Sequence, residues 1–287
     1  MEIDLRYMER ALQLARLGRE GAHPNPMVGC VIVDPSGRIV GEGYHQKCGE
    51  GHAEVNAIAD ADRRGADLTD VTMYVTLEPC AHWGKTPPCA QLILDRKIPR
   101  VVVGCTDSFD RVDGKGIKML REGGVELNIL ELPACRALNK RFFEAHLRRR
   151  PWVALKWAQT ADGFVDRIRE SASEAPLKIS TPATQVAVHA YRAGFDAIAV
   201  GSRTAALDNP RLDTRLWPGS HAPRRVEFHR GDLRPQLEAL YAEGITSLLV
   251  EGGPTLQRAF IAAGPVDELR VETSPALLSA PGVRIPR

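Results

Sequence analysis

The sequence predicts a two-domain α/β protein. Short apolar runs with strand character alternate with segments of helical periodicity, a pattern typical of sheets covered by helices. The length of 287 residues accommodates two domains of ordinary size. A helical segment that ends in three arginines is followed by Pro151, which breaks helices, and then by a new strand-like run. We therefore place the domain boundary at residues 147–151. The predicted domains are residues 1–147 and 151–287.

The composition is that of a globular protein, with 44% apolar and 26% charged residues. No apolar run is long enough to cross a bilayer, and the N-terminus lacks the features of a secretory signal. The net charge of +2 argues neither for nor against a polyanionic partner, and we expect neither nucleic acid nor a membrane as a partner. The six scattered cysteines are typical of reduced cytoplasmic thiols with a metal site, not of a disulfide framework.

In the first half, the elements follow from periodicity and turn signals. Leu5, Met8 and Leu12 stand at helical spacing before Gly18. A Pro-Ser-Gly turn at residues 34–37 joins two apolar runs into a hairpin. The predicted helices are 4–18, 52–64, 90–94, 117–122 and 134–149. The predicted strands are 27–33, 38–44, 71–76, 100–104 and 125–130.

In the second half, Pro182 follows Ser180-Thr181, which is a plausible start for a helix that runs to Ala193. Residues 161–163 and 201–204 are predicted as turns. The predicted strands are 152–157, 196–200 and 246–250. Further helices are predicted at 235–242 and from the Gly252-Gly253 junction to 263.

His52, Cys80 and Cys89 are the donor types that suit Zn²⁺, and three protein ligands leave one tetrahedral position for water. Bound water then ionises near neutral pH. Glu54, two residues after the histidine, matches the proton shuttle in the His-x-Glu…Pro-Cys pattern of zinc deaminases. The alternative is a buried cysteine pair with an unrelated histidine. His82, between the two cysteines, is an alternative third ligand.

Both parts of this pattern fall where a loop enters a predicted helix. A helix N-terminus carries partial positive charge, which lowers the pKa of a thiol and favours metal ligation. We therefore expect His52 at the start of one helix and both sulfurs at the start of another.

Several segments of the first half resemble the bifunctional riboflavin-biosynthesis deaminase/reductase family. The most specific is the string Pro-Cys-x-His-x-Gly-Lys-Thr-Pro-Pro-Cys at residues 79–89, and Pro-Asn-Pro-Met-Val-Gly at 24–29 and His-Ala-Glu-Val-Asn-Ala at 52–57 accompany it. The resemblance implies a cytidine-deaminase-like three-layer α/β/α domain. It implies His52, Cys80 and Cys89 as zinc ligands and Glu54 as the catalytic residue. It places four residues at the pyrimidine and its ribose phosphate: Asn25, His45, His82 and Lys85.

Simpler interpretations exist for some of these residues. Lys85 could be an ordinary surface lysine, and His45 could be a histidine at the end of a hairpin. Lys115 and the arginines at 148–150 are interpreted as solvated charge near a linker.

The second half resembles the reductase half of the same family, which has a dihydrofolate-reductase-like α/β sheet and uses NADPH. The matching segments include Val-Gly-Ser-Arg-Thr at 200–204 and Val-Glu-Gly-Gly-Pro-Thr-Leu at 250–256. By matching position, the residues that meet the cofactor are Thr204, Asp208, Gly253, Pro254, Thr255 and Leu256. Those that meet the substrate are Lys156, Arg192, Leu212, Arg215 and Glu251. Lys156, Asp208 and Glu251 are all candidates to hold and protonate the substrate.

The junction of a strand, Gly252-Gly253 and a helix is a candidate phosphate cradle, because glycines let backbone N–H groups approach an anion at a helix N-terminus. A plain strand–helix turn explains the same residues equally well.

The second half is shorter than the family pattern. Almost no chain separates Phe228 from the helix near Leu233, where the family has further strands and a helix, so a segment near 228–232 looks missing. Residues 173–178 also depart from the family's Gly-Glu-Ser-x-Trp pattern. An exposed sheet edge left by a deletion would need a partner subunit.

The resemblance thus implies a riboflavin-pathway enzyme that acts on a small pyrimidine ribosyl phosphate with Zn²⁺ and NADPH. We expect it to be cytoplasmic and to form a homo-oligomer, a dimer or a tetramer. Three alternatives stay open. They are a deaminase with a degenerate second domain, a base deaminase acting on tRNA or nucleotides, and a non-enzymatic zinc module.

Overall fold

The computed structural model describes residues 4–83, 87–107, 114–169, 171, 173–219, 221–229 and 231–285. The chain divides into two compact units, Met1–Leu147 and Arg148–Arg287. Each unit is organised around its own five-stranded sheet. Within the described ranges, no helix is both long enough and apolar enough to cross a membrane.

The first unit alternates strands and helices as predicted. Its strands are β1 (Gly29–Val33), β2 (Ile39–Tyr44), β3 (Thr72–Val75), β4 (Arg100–Val103) and β5 (Glu126–Ile129). Its helices are α1 (Leu5–Leu17), α2 (Ala53–Arg63), α3 (Cys89–Asp95), α4 (Lys115–Glu122), α5 (Pro133–Leu138) and α6 (Lys140–Arg148). The sheet order is β2-β1-β3-β4-β5. Strand β1 is antiparallel to β2 and β3, whereas β3, β4 and β5 are parallel.

Helices cover both faces of this sheet. On one face, Cys30 and Ile32 of β1 pack in an apolar cluster with residues of α2, α3 and α4. On the other face, Val31 and Val33 pack with residues of α1, α5 and α6. Successive side chains of a strand point to opposite faces, so a fully apolar strand requires cover on both sides. The result is the three-layer α/β/α domain that the resemblance implied.

The predicted single helix at 134–149 was wrong, because the chain breaks between α5 and α6 at Asn139. This residue has φ −114° and ψ 26°. Its side-chain oxygen accepts the Met27 N–H at 2.8 Å, and its side-chain nitrogen donates to the Met27 carbonyl at 2.8 Å. Asn139 thus satisfies the backbone N–H and carbonyl of a residue far away in sequence. Local hydrophobic periodicity does not reveal such a contact, so it predicts an uninterrupted helix.

The second unit has the strands β6 (Trp152–Gln159), β7 (Asp166–Arg167), β8 (Ala197–Gly201), β9 (Arg224–Phe228), β10 (Ser247–Gly252), β11 (Glu268–Thr273) and β12 (Gly282–Val283). Its helices are α7 (Pro182–Arg192), α8 (Ser202–Asp208), α9 (Leu233–Ala242) and α10 (Pro254–Ala263). The main sheet has the order β11-β6-β10-β8-β9 and is parallel throughout. Strands β7 and β12 form a separate antiparallel pair.

Both faces of the second sheet are buried as well. Val153 and Leu155 of β6 pack with residues of α9 and α10, and Trp152 and Ala154 pack with Tyr191 of α7 and its neighbours. Thr181 caps α7 by accepting the Thr184 N–H, as its position before Pro182 predicted. The predicted turn after residue 200 is instead the short helix α8.

The short connection after Phe228 does not interrupt the pairing of the five strands of this open sheet. Strand β9 pairs in parallel with β8 at one edge of the sheet, and α9 begins at Leu233, soon after β9 ends. Strand β11 forms the opposite edge.

The interpretation of residues 148–150 as solvated charge was wrong for Arg150, whose side chain is 16% exposed, whereas Arg148 is 47% exposed but also forms an ion pair. The Asp267 side chain is only 2% exposed and lies 2.7 Å from Arg148 and 2.5 Å from Arg150. The same carboxylate accepts the Val153 N–H. A buried carboxylate needs opposite charge and hydrogen bonds, and the two arginines supply them.

Candidate functional site

Two helix N-termini and one loop of the first unit assemble the predicted metal ligands. His52 is the residue before α2, Cys89 is the first residue of α3, and Cys80 lies in the loop after β3. The expectation that both sulfurs come from one helix was therefore wrong for Cys80. Its sulfur still accepts the Cys89 N–H at 3.3 Å, and its carbonyl accepts the Ala90 N–H at 3.1 Å. These bonds attach Cys80 to the N-terminus of α3.

The three donor atoms have the spacing of a zinc site. His52 Nδ1 lies 3.5 Å from Cys80 Sγ and 3.3 Å from Cys89 Sγ, and all three ligand atoms lie within 4.8 Å of one another. Tetrahedral zinc with ordinary Zn–N and Zn–S bonds separates its ligand atoms by about 3.5–3.8 Å. The donor set therefore fits zinc. His82 is exposed and is not a member of this group.

The hydrogen bonds among the three donors favour a thiolate at Cys80 and a proton on His52 and on Cys89, since the bond with Cys80 and burial raise the pKa of the Cys89 thiol well above its usual value. The pKa of the Cys80 thiol is lowered, chiefly because Cys89 donates a hydrogen bond to it. The pKa of His52 is raised to about 9, chiefly by its hydrogen bond with Cys80. A thiolate thus forms readily beside the histidine, and a thiolate is the form of cysteine that binds metals.

Glu54 stands in the first turn of α2 and is 3% exposed. Burial raises the pKa of its carboxyl to about 7. Its Oε2 atom is buried and has no hydrogen-bond partner in the described part of the chain. A buried carboxylate oxygen without a partner is costly, so it indicates a group that bonds with something brought to the site. A pKa near neutrality also suits a residue that takes up and releases a proton.

Asn25 and His45 form a wall beside the metal ligands. The His45 ring meets the His52 ring edge-on, with centroids 5.2 Å apart. His45 Nδ1 lies 3.2 Å from the Gly51 carbonyl, so this nitrogen carries the proton. His45 Nε2 then accepts from Asn25 Nδ2 at 3.2 Å. Burial lowers the pKa of His45, which favours this neutral form.

Glu78 is a structural residue of this site to which the sequence motifs assigned no role. Its buried carboxylate accepts backbone N–H groups of Gly114, Gly116 and Ile117, at 3.2, 3.0 and 3.2 Å. It thereby caps α4 from a position two residues before Cys80. The predicted residue Lys85 lies outside the described residues.

The second unit holds a cavity of about 700 Å³. Nine predicted residues line it: Lys156, Arg192, Thr204, Asp208, Arg215, Glu251, Gly253, Pro254 and Thr255. Leu212 and Leu256 do not line it, because both are buried in the apolar clusters of this unit. The volume lies in the range of pockets for small molecules and cofactors.

Most acidic groups of the cavity are already paired. Arg192 binds Glu251 through two bonds of 2.8 and 2.6 Å. Arg169, which sequence reasoning missed, binds Asp208 through two bonds of 2.6 and 3.0 Å and also reaches Asp166 at 2.8 Å. Its side chain is 7% exposed.

Lys156 differs from these residues. It is 8% exposed and forms no ion pair with any residue that the structure describes. Burial lowers the pKa of its amine, and nearby Glu251 offsets part of that effect.

The Gly252-Gly253 junction brings two parts of the cavity wall into contact. Gly253 is the residue before α10, and a Cβ atom there would lie 2.4 Å from Thr204 Oγ1. A side chain at this position would require the Thr204 hydroxyl to move. The N–H groups of Gly253 and Thr255, on either side of Pro254, are suitable donors for an anionic ligand at the start of α10. The cavity therefore fits a phosphate-bearing cofactor such as NADPH.

His189 is a second missed residue of this cavity. It is 4% exposed, and its Nδ1 accepts the Leu216 N–H at 3.4 Å. It precedes Arg192 by three residues on α7, so helical spacing from that arginine was a usable signal.

Family profiles match both halves of the chain. The cytidine and deoxycytidylate deaminase zinc-binding region matches residues 1–105. The RibD C-terminal domain matches residues 151–230 and 226–286.

Similar whole proteins and solved structures extend over nearly all of the chain. Riboflavin biosynthesis protein RibD of Actinobacillus pleuropneumoniae is 34% identical, over 99% of this chain and 86% of that protein. RibD of Escherichia coli is also 34% identical, over 96% and 88%. A Thermotoga maritima crystal structure named diaminohydroxyphosphoribosylaminopyrimidine deaminase/5-amino-6-(5-phosphoribosylamino)uracil reductase is 32% identical, with a TM-score of 0.86 over 98% of this chain and 88% of that one.

Proposed function

The chain belongs to the family of riboflavin biosynthesis protein RibD, and we propose that its two units catalyse successive steps on one pyrimidine phosphate. The protein is a bifunctional enzyme of riboflavin biosynthesis, a zinc-binding deaminase joined to an NADPH-using reductase. The deaminase substrate is 2,5-diamino-6-ribosylamino-4(3H)-pyrimidinone 5′-phosphate. The reductase then converts the ribosyl side chain of the deaminated product to ribityl. The domain limits are 1–147 and 151–287.

The observation that carries the deaminase proposal is the unpartnered Glu54 oxygen in the unit that gathers His52, Cys80 and Cys89. These three residues hold zinc. Bound zinc supplies a Lewis acid that acidifies water. Glu54 takes a proton from the attacking water and delivers it to the departing amine, so that water adds to the ring carbon and ammonia leaves.

Asn25, His45, His82 and Lys85 hold the substrate of this reaction. His45 accepts from the Asn25 amide and so fixes the orientation of that amide, which then meets one polar edge of the pyrimidine or ribose. Lys85 supplies the cation for the phosphate.

In the reductase, Thr204, Asp208 and residues 253–256 hold NADPH, which supplies a hydride when bound. The substrate meets Arg192, Leu212, Arg215, Glu251 and Lys156. Ion pairing ranks the three candidate proton donors. Asp208 and Glu251 each already accept two bonds from an arginine, whereas Lys156 has no such partner among the described residues. Lys156 therefore gives the proton to the nitrogen of the ring-opened side chain while the adjacent carbon is reduced.

A degenerate second domain is the main rival. The alignment with the Actinobacillus protein extends over 334 residues, more than the 287 of this chain, so that protein carries insertions. The segment near 228–232 is the proposed place of the shortening. The cavity, with its arginine–carboxylate pairs and a Lys156 amine that pairs with no described residue, favours an active reductase over this rival.

We also propose a homo-oligomer in the cytoplasm. Leu269 and Val271 on edge strand β11 are 57% and 39% exposed, and an exposed apolar edge strand is a surface suited to a second copy. The six cysteines are free, which suits a reducing compartment. Sedimentation of the purified protein tests the assembly, and a monomer at working concentration would exclude it.

Two assays on the purified enzyme test the two steps. The first follows ammonia release from the diaminopyrimidine phosphate, before and after zinc is removed with a chelator and restored. The second follows NADPH oxidation with the deaminated product. Release that depends on zinc supports the deaminase, and no release from protein with bound zinc rejects it. No oxidation at saturating NADPH supports the degenerate rival, and salt-sensitive tRNA binding with tRNA deamination supports the nucleic-acid rival.

A further inference from the structure

The break between α5 and α6 ties the C-terminal part of the first unit to the loop before β1. The Asn139 side chain makes two hydrogen bonds of 2.8 Å to the backbone of Met27: its Oδ1 accepts the Met27 N–H, and its Nδ2 donates to the Met27 carbonyl. The two residues are 112 positions apart. Asn139 is 5% exposed, so water competes weakly for these bonds.

The backbone of Asn139 is fixed by the two helices that it joins. Its backbone N–H donates to the Arg136 carbonyl at 3.2 Å, and its carbonyl accepts the Phe143 N–H at 3.1 Å. Cys135 and Phe143 on either side are buried in the apolar cluster below the sheet face. The amide is therefore presented from a rigid element, which a flexible loop would not provide.

The loop that Asn139 holds carries a residue of the deaminase site. Asn25 lies two residues before Met27, and its side chain reaches His45 Nε2 at 3.2 Å. The Val28 carbonyl, one residue after Met27, accepts the His45 N–H at 2.9 Å. His45 in turn meets the ring of the zinc ligand His52. A continuous chain of contacts thus runs from Asn139 through Met27 and Asn25 to the metal site.

We propose that Asn139 is a positioning residue of the deaminase: by its two hydrogen bonds to Met27 it sets the place of the Asn25 amide beside His45, whose ring contacts the zinc ligand His52. The proposal rests on the proposed function in assigning Asn25 to the substrate. No zinc ligand lies on this loop, so the clamp acts on substrate binding and leaves the metal in place. A displacement of about 1 Å in a substrate-holding group is enough to lose most of its contribution.

The test compares Asn139→Ala with wild type in the full-length zinc-loaded enzyme. We expect KM for the diaminopyrimidine phosphate to rise about tenfold or more, with kcat within about twofold and zinc content unchanged. Asn139→Asp keeps an acceptor for the Met27 N–H but places a carboxylate against the Met27 carbonyl, so it should raise KM as well. It also serves as the test if Asn139→Ala does not fold.

Gln236→Ala is a matched control. Gln236 clamps His229 in the same way, accepting its N–H at 2.9 Å and donating to its carbonyl at 3.2 Å, but it belongs to the second unit. This variant loses the equivalent two bonds, together with a third to the Asp232 carbonyl at 3.0 Å, and should leave KM for deamination unchanged.

A double-variant cycle separates positioning from mere support of the fold. If Asn139 acts through Asn25, then Asn139→Ala adds little to the KM of Asn25→Ala. Independent, additive effects on KM would overturn the proposal, as would a folded Asn139 variant that melts earlier but keeps the wild-type KM. Absence of ammonia release from the wild-type enzyme would instead be a failure of the proposed function.

Discussion

The two sites differ in how their charged groups are satisfied. In the first unit, the Glu54 carboxylate is buried with an oxygen that has no partner in the described residues. In the second unit, Glu251 and Asp208 are each neutralised by an arginine that makes two hydrogen bonds. The deaminase site thus awaits water and metal. In the reductase cavity the carboxylates are paired, and several basic side chains of the lining form no ion pair with a described residue: Lys156, Arg167, Lys178 and Arg203.

This contrast indicates where removal of one side chain costs chemistry and where it costs stability. An unsatisfied buried group is retained against its desolvation cost, so its loss removes activity without weakening the fold. When one member of a buried ion pair is removed, the charge of the other member stays buried without compensation, and this lowers the stability of the fold.

Glu54→Gln should produce the largest effect. We expect deamination to fall by about 10³-fold because the proton carrier is gone, with zinc content and reductase activity unchanged. Ammonia release, zinc analysis and NADPH oxidation on the same preparation measure the three quantities. The thermal midpoint should not fall, since the amide no longer leaves a charged oxygen unsatisfied. A variant that keeps the wild-type rate of ammonia release would remove Glu54 from the mechanism.

Lys156→Met should produce the next largest effect, restricted to the second unit. We expect NADPH-dependent reduction to fall by about 10²-fold because the proton donor is lost, while ammonia release is unchanged. Steady-state reduction of the deaminated product measures this. A lower kcat with an NADPH KM like that of the wild type would locate the defect of Lys156→Met in the chemical step. A rise in the NADPH KM alone would instead assign Lys156 to cofactor binding.

Arg192→Met should destabilise the second unit. The side chains of Arg192 and Glu251 are 13% and 8% exposed, so the variant strands a buried carboxylate and should cost about 3 kcal/mol in the free energy of unfolding. Urea unfolding monitored in the second unit measures this cost. The double variant with Glu251→Leu should regain much of the loss. If the single variant is as stable as wild type, the ion pair is not buried as described.

The rate of the reductase should depend on pH through the lowered pKa of Lys156. Burial lowers the pKa of this amine from its usual 10.5, and the donor must be protonated, so activity should fall as pH rises through the lowered pKa. The unfolded chain binds that proton more tightly, so this group's contribution to stability is present above 10.5 and is lost as pH falls through the lowered pKa. Lys156→Arg should move the alkaline fall in reduction rate upward. An alkaline limb identical in the variant would assign it to another group.

Much of the fold followed from local patterns. The Asp34–Gly37 turn, the start of α7 at Pro182 and the fully apolar runs of the sheets each depend on neighbours in sequence, and each element formed where it was expected. The donor types for zinc were also readable, because imidazole and thiolate are chemically distinctive and stand in short motifs. By contrast, Arg169 belongs to no motif and was identified only by the cavity lining, and His189 could have been inferred only from its helical spacing to Arg192.

The sequence by itself determined the alternation of strands and helices, the two-domain order and the presence of a His, Cys, Cys and Glu set suited to zinc chemistry. These depend on side-chain type and short-range spacing. Only the tertiary structure decided that Asn139 interrupts a helix and binds Met27, and that Arg148 and Arg150 neutralise Asp267. It also decided that Lys156 pairs with no described residue while its acidic neighbours are paired. Such outcomes depend on burial and on contacts between residues far apart in the chain. Burying a charged or amide group without a partner is costly, so most such groups are paired within the protein, and an unpaired one can bind substrate.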